Sequence, residues 1–248
     1  MSNISDNINR IKATLQEGVA LCAVSKYHPE EELQEAYDAG QRIFGESHVQ
    51  ELVRKEASLP KDIEWHFIGH LQTNKVKYIA PFVSLIHSAD SIKLIREINK
   101  QGVKCNRRIP VLLQLHMAQE ETKFGFTIEE CREFIESGEW NEMQGIEFHG
   151  IMTMATNCDD EEQWRKEFRK AKEFFEEVKQ MQNAECRMQN DSQTDNKAQH
   201  NSEFCILNSA FSKWSTISMG MSHDYPIAME EGSTMVRVGT AIFGSRGY

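Results

Sequence analysis

The chain has 248 residues, 40% of them hydrophobic and 27% charged, enough apolar material for a well-buried core in one large domain. Its 38 acidic and 28 basic side chains leave a net charge of −10. With no long Lys/Arg run, that balance argues against a nucleic-acid binder but leaves room for one local basic pocket for a small anion. The six cysteines are scattered, with no C-x-x-C pair, which sets a metal site aside. No apolar run reaches transmembrane length, and the N-terminal MSNISDNINRIKATLQ is polar and helix-like rather than a secretory signal, so a cytoplasmic protein with free thiols and no membrane association is expected.

In chain order, VALCAVS (19–25) is the first strand-like run, and it ends on Lys26 before the chain turns at Pro29. PEEELQEAYDAG follows as a helix, with Pro29 at its first position, Gly40 at its stop and Leu33, Ala36 and Tyr37 on one face. Strand-like runs then recur at 42–46, 63–69, 82–89 and 109–117. TIEECREFIESG reads as a helix opened by a capping box of Thr127 and Glu130, with Cys131, Phe134 and Ile135 on its apolar stripe. A strand-like run at 146–154 precedes the longest helix candidate, residues 160–181, where Trp164, Phe168, Ala171, Phe175 and Val178 repeat at helical spacing. Residues 183–203 are polar and rich in Asn, Gln and Ser, and read as an exposed, flexible insertion. The last strand-like runs are 215–221 and 234–244. Several runs are continuously apolar, as strands are when both faces are covered. Eight of them, mostly followed by helices, predict an α/β fold: a single (β/α)8 TIM barrel over residues 1–248, with an open doubly wound sheet as the alternative.

In such a barrel, chemistry gathers at the C-terminal ends of the strands. Lys26 falls at the first of these. SMGMS (218–222) and RVGT (237–240) fall at the seventh and eighth, bringing Ser218, Ser222, Gly239 and Thr240 to neighbouring positions. Glycines let backbone N–H groups approach an anion and hydroxyls donate to it, so together the two motifs favour a phosphate. A phosphate corner and an inward lysine on one rim point to pyridoxal 5′-phosphate, the lysine joining the aldehyde and the corner anchoring the other end. The competing reading is a sugar-phosphate enzyme with Lys26 as its Schiff-base lysine. Arg237 discriminates. It lies two residues before Gly239, so alternation points both inward, and a permanent cation beside a pyridine nitrogen would keep that nitrogen unprotonated and the ring a poorer electron sink.

AVSK (23–26), FGES (44–47), WHFIGHLQTNK (65–75), HSADS (87–91), KFGF (123–126), GIMTMA (150–155), SMGMS (218–222) and EGSTMVRVGTAIFG (231–244) resemble, in order, the YggS-type pyridoxal phosphate homeostasis proteins. The resemblance runs from about residue 20 to the C-terminus apart from 183–203. That family is similar to the barrel domain of alanine racemase, the fold-type III group of pyridoxal phosphate proteins. The resemblance implies that Lys26 holds the cofactor as an aldimine, that Ser218, Ser222, Gly239 and Thr240 hold its phosphate, and that Arg237 sits by the ring nitrogen. It also implies a cytoplasmic role in vitamin B6 balance without a known catalytic turnover, with pyridoxal phosphate-dependent apo-enzymes as possible recipients. The chain departs from the family at Ser47-His48, where Asn-Arg is usual.

The rival function is an amino-acid racemase, which needs acid/base groups on both faces of the substrate. Lys26 serves one face. In alanine racemases a tyrosine from a second domain serves the other, whereas this sequence stops at Tyr248, shortly after the eighth strand. Tyr27 adjoins the lysine and is expected to point away by strand alternation. The expectation is therefore a monomeric carrier without catalytic residues. His66 and His70, four apart, and His87 are expected to be packed histidines rather than metal ligands.

Overall fold

Eight parallel strands pair in chain order and close into a barrel when the last returns to the first. They are β1 (Ala20–Val24), β2 (Ile43–Glu46), β3 (Glu64–Phe67), β4 (Leu85–Ala89), β5 (Ile109–Gln114), β6 (Ile146–Met152), β7 (Thr216–Ser218) and β8 (Met235–Val238). Helix α1 (Ile4–Lys12) precedes β1. The later helices each follow one strand: α2 (Glu30–Asp38), α3 (Val49–Ser58), α4 (Val76–Ile79), α5 (Ile92–Lys104), α6 (Ile128–Glu136), α7 (Glu161–Asp191), α8 (Tyr225–Glu230) and α9 (Thr240–Phe243). The structure is a computed structural model that describes residues 4–117, 124–191 and 210–244, with side chains in the second segment described as far as residue 181. Both the barrel and its closed topology match the eight-unit reading of the sequence.

Two apolar layers explain why the strands read as unbroken hydrophobic runs. Outward residues such as Ala23, Phe44, Trp65, Ile86, Phe148, Val236 and Val238 pack with the helices in the larger core. Inward residues Cys22, Leu85, Leu112, Met152 and Met235 form a second cluster inside the barrel. Alternation along β8 therefore turns Arg237, between Val236 and Val238, toward the interior, beside its register partner Cys22. The interior is narrow at this level. A β-carbon on Gly45 would stand 2.8 Å from Cys22 Sγ and 3.1 Å from Ile68 Cδ1, so β2 contributes no side chain there.

The capping box at the start of α6 holds, whereas Pro29 is the N-cap of α2 rather than its first helical residue. Thr127 accepts from the backbone of Glu130 and the Glu130 carboxylate accepts from the backbone of Thr127, the reciprocal box expected for α6. Trp164, Phe168, Ala171, Phe175 and Val178 all lie on the buried face of α7. Several strands are shorter than their apolar runs, and the widest differences from the sequence reading lie at two places. The run 234–244 is a strand only over Met235–Val238, because the chain breaks at Gly239 and re-forms as α9. Helix α7 continues to Asp191, so residues 183–191 are helical rather than part of a loop. Ala184, Glu185, Arg187, Met188 and Gln189 are good helix formers, and extending a helix already nucleated needs no apolar stripe. The rest of the polar stretch, 192–203, and Tyr248 lie outside the described residues.

Candidate functional site

Strand β1 delivers a buried Ser25 and a half-buried Lys26 to the C-terminal mouth of the barrel. Lys26 borders two adjoining cavities. The inner one, about 210 Å³, is also bounded by Ser222, Arg237, Gly239 and Thr240, with Val24, Ile68, Met154 and Met221 supplying apolar wall. Among the described residues, no Asp or Glu lines it. The outer one, about 620 Å³, opens past Tyr27, His48, His70, Lys75 and Phe124. Lys26, Ser47, Ile68 and Met154 border both, so the lysine stands at their junction.

The loops after β7 and β8 are tied into one corner. The Gly239 N–H donates to Ser222 Oγ at 3.3 Å, and the Arg237 N–H donates to the Gly220 carbonyl at 2.9 Å. Gly220 has φ +93°, and a β-carbon there would approach Ala228 Cβ to 2.6 Å, so both conformation and space demand glycine. The buried Asp224 accepts from the Met221 N–H and fixes the turn ahead of α8. Thr240 opens α9, whose first N–H groups have no acceptor within the helix. Hydroxyls, backbone donors and a guanidinium therefore line one wall, a donor set suited to an anion.

Behind this wall a chain of polar groups crosses the barrel interior. Arg237 Nη1 donates to the Ser218 carbonyl and to Ser218 Oγ, both at 2.7 Å, and Nη2 donates to the Thr153 carbonyl at 2.9 Å. Ser218 Oγ lies 3.0 Å from His87 Nδ1, and His87 Nε2 lies 3.0 Å from His66 Nδ1. Arginine only donates, so Ser218 Oγ accepts from it and keeps its own hydrogen and a second lone pair for His87 Nδ1. The His87–His66 contact takes its direction from that choice: a hydrogen given to His87 Nδ1 makes His87 Nε2 the donor to His66 Nδ1, and one accepted from it makes His66 the donor. Both rings are neutral: burial holds His66 down to about 3, and burial together with the neighbouring His66 and Arg237 holds His87 well below the usual histidine range. Burial brings Arg237 down to about 10, which leaves it cationic at neutral pH, and it pushes the Cys22 thiol up to about 12, which leaves that neighbour uncharged.

Known proteins share this architecture. The family described as "Alanine racemase, N-terminal domain" matches residues 1–194. The pyridoxal phosphate homeostasis protein of Aquifex aeolicus (strain VF5) is 38% identical over 229 residues, 92% of this chain and 87% of its own length. That of Escherichia coli (strain K12) is 31% identical over all of this chain and 99% of its own length. The chain belongs to the pyridoxal phosphate homeostasis protein family. Among solved structures, PipY of Synechococcus elongatus PCC7942 with PLP bound superposes with a TM-score of 0.78 at 30% identity, over 97% of this chain and 100% of PipY. The alanine racemase of Clostridium difficile 630 shares the fold alone, at 16% identity and a TM-score of 0.69 over 98% of this chain and 56% of the racemase.

Within this homeostasis-protein framework, five of the six residues marked in the sequence meet at one cavity: Lys26, Ser222, Arg237, Gly239 and Thr240. Ser218 does not. It is fully buried and engaged by Arg237 and His87, because the last residue of β7 points into the barrel below the rim. Tyr27 also departs from expectation. Strand β1 ends at Val24, so alternation no longer governs residue 27, and Tyr27 lines the outer cavity with its ring centroid 5.0 Å from that of His48. Ser47 and His48, the positions that depart from the family pattern, both line that outer cavity. Lys55 was not legible as a site residue, although its side chain is wholly buried against Glu46 and Glu51. The i,i+4 spacing of Glu51 and Lys55 on one helix was the available signal.

Proposed function

We propose that this protein binds pyridoxal 5′-phosphate through Lys26 and serves the cytoplasmic balance of that cofactor as a monomer, holding and releasing it rather than turning over a substrate. The observation that carries this reading is the single cavity bordered by a lysine and, beside it, by Ser222, Gly239, Thr240 and Arg237. The residues fit the group. Donors without a carboxylate suit a phosphate, and Val24, Ile68, Met154 and Met221 offer apolar flanks for an aromatic ring. A β-carbon on Gly239 would stand 3.0 Å from the Val24 carbonyl oxygen, so the bare glycine lets the β8–α9 turn pass close against the end of β1.

Lys26, the amine at the junction of the two cavities, would hold the cofactor, whose aldehyde supplies the carbonyl to which an amine can be joined. Ser222, Gly239 and Thr240 would anchor the phosphate. Arg237, cationic and held by Ser218 and Thr153, would disfavour a proton on the ring nitrogen, which would weaken carbanion chemistry and leave attachment intact. Ser218 acts through Arg237 rather than on the phosphate. Among the described residues no helix is long and apolar enough to cross a membrane.

The test is to incubate the protein with pyridoxal phosphate, reduce with borohydride and map the modified peptide. A visible absorption band and label on Lys26 are expected, both lost in Lys26→Ala; a colourless, unlabelled protein would overturn the reading. Steady turnover of alanine or serine, abolished by Lys26→Ala, would replace the carrier by an amino-acid racemase. Transfer of the cofactor to apo-enzymes is measured by their regained activity.

A further inference from the structure

Lys55 sits on α3 with no exposed side-chain surface, and its ammonium uses all three hydrogens. It donates to the Ser25 carbonyl at 2.8 Å, to Glu46 Oε1 at 2.7 Å and to Glu51 Oε1 at 2.7 Å. Ser25 Oγ donates to the same Glu46 oxygen at 2.7 Å, and the Tyr27 N–H donates to the same Glu51 oxygen at 2.7 Å. The backbone on both sides of Lys26 is thus bonded to one charged cluster built from β2 and α3. Between those anchors the chain makes a turn that side chains rarely adopt: Tyr27 has φ +69°, and the His28 N–H returns to the Ser25 carbonyl at 3.1 Å. Such a conformation persists where its surroundings over-determine it.

Stability alone does not account for the cluster. Removing an ammonium and a carboxylate from water is costly, and apolar side chains of similar volume would fill the space as well. Glu46 Oε2 is buried and finds no hydrogen-bond partner among the described residues, a further cost. What the charges provide, and apolar packing would not, is directed bonds to residues 25 and 27.

We propose that Lys55, Glu46 and Glu51 form a buried clamp that positions Lys26, fixing the strained turn from which its amine enters the inner cavity. They are positioning residues: Lys55 has no spare donor or lone pair with which to act as a nucleophile itself. The inference rests on the reading of Lys26 as the cofactor's attachment point.

Glu51→Ala removes the acceptor from Tyr27, while Glu51→Gln keeps an oxygen there without the charge. In cofactor-free protein, amide exchange at residues 25–28 is expected to quicken by about tenfold or more in Glu51→Ala, with the rest of the barrel unchanged. With pyridoxal phosphate, the rate of borohydride-trappable attachment to Lys26 should fall by about 10- to 100-fold in Glu51→Ala and in Lys55→Met, and recover to within about threefold of the parent in Glu51→Gln. Affinity for pyridoxine 5′-phosphate, which has no aldehyde, should stay within about twofold. Should Lys55→Met fail to fold, Glu51→Ala decides. Attachment at the parental rate in folded Glu51→Ala, or unchanged exchange at residues 25–28, would overturn the clamp. Failure of the parent protein to attach the cofactor would instead strike the Lys26 reading, and the exchange measurement separates the two.

Discussion

Replacing His66 by Gln tests the polar chain inside the barrel. His66 Nδ1 lies 3.0 Å from His87 Nε2, and a glutamine amide can accept or donate in its place, so the chain is kept while one titrating group is removed. Burial holds folded His66 down to about 3, against an ordinary value of 6.5. Below pH 6.5 the unfolded chain therefore takes up a proton at this residue that the folded protein refuses. The stability owed to neutral His66 is complete above pH 6.5 and is lost as pH falls toward the folded value, by about 1.4 kcal/mol per pH unit. Between pH 7.5 and pH 5 that amounts to about 2 kcal/mol in the parent and none in the variant. Urea unfolding of both proteins across this range should show the stability gap between them shrinking by about that amount. A gap flat to within about 0.5 kcal/mol would refute a neutral, excluded His66.

Ser218→Ala removes the hydroxyl that Arg237 reaches at 2.7 Å and strands a buried His87 nitrogen, so calorimetry or urea unfolding should record a loss of about 2–4 kcal/mol, while the borohydride label still appears on Lys26. Gly220→Ala meets both a positive φ and a 2.6 Å clash with Ala228, so affinity for pyridoxine 5′-phosphate should fall together with about 1–3 kcal/mol of stability. Thr127→Ala breaks the capping box of α6, whose two members line neither cavity beside Lys26, and should cost about 1 kcal/mol without changing cofactor attachment. Arg237→Met should leave attachment to Lys26 possible but shift the absorption band of the bound cofactor, because the cation beside the ring is gone; an unchanged spectrum would separate Arg237 from the ring.

The barrel was legible because each strand has two buried faces, and continuous apolar runs such as IPVLLQ are what that environment requires. The meeting of Lys26 with RVGT was legible for a related reason: strand ends converge in this topology, so the two need only lie at such ends to border one cavity. Depth was harder to read. Ser218 and Ser222 stand in one short motif, yet one lies beneath the rim and the other on it, because the strand ends between them. The Lys55 cluster depends on contacts between β1, β2 and α3, and no local pattern encodes that convergence. The far end of α7 differs from the sequence reading because a polar composition was weighed there, whereas residues that favour the helical conformation can extend a helix already begun.

Closure of the sheet has a consequence for a protein that would spend part of its life empty. With β8 bonded to β1, every strand has a neighbour on each side, and no row of unpaired backbone groups is offered to another chain. Gain or loss of a small molecule at the mouth leaves that continuity untouched. The unloaded form can therefore wait in a crowded solution without inviting the strand-to-strand association that an open sheet would risk.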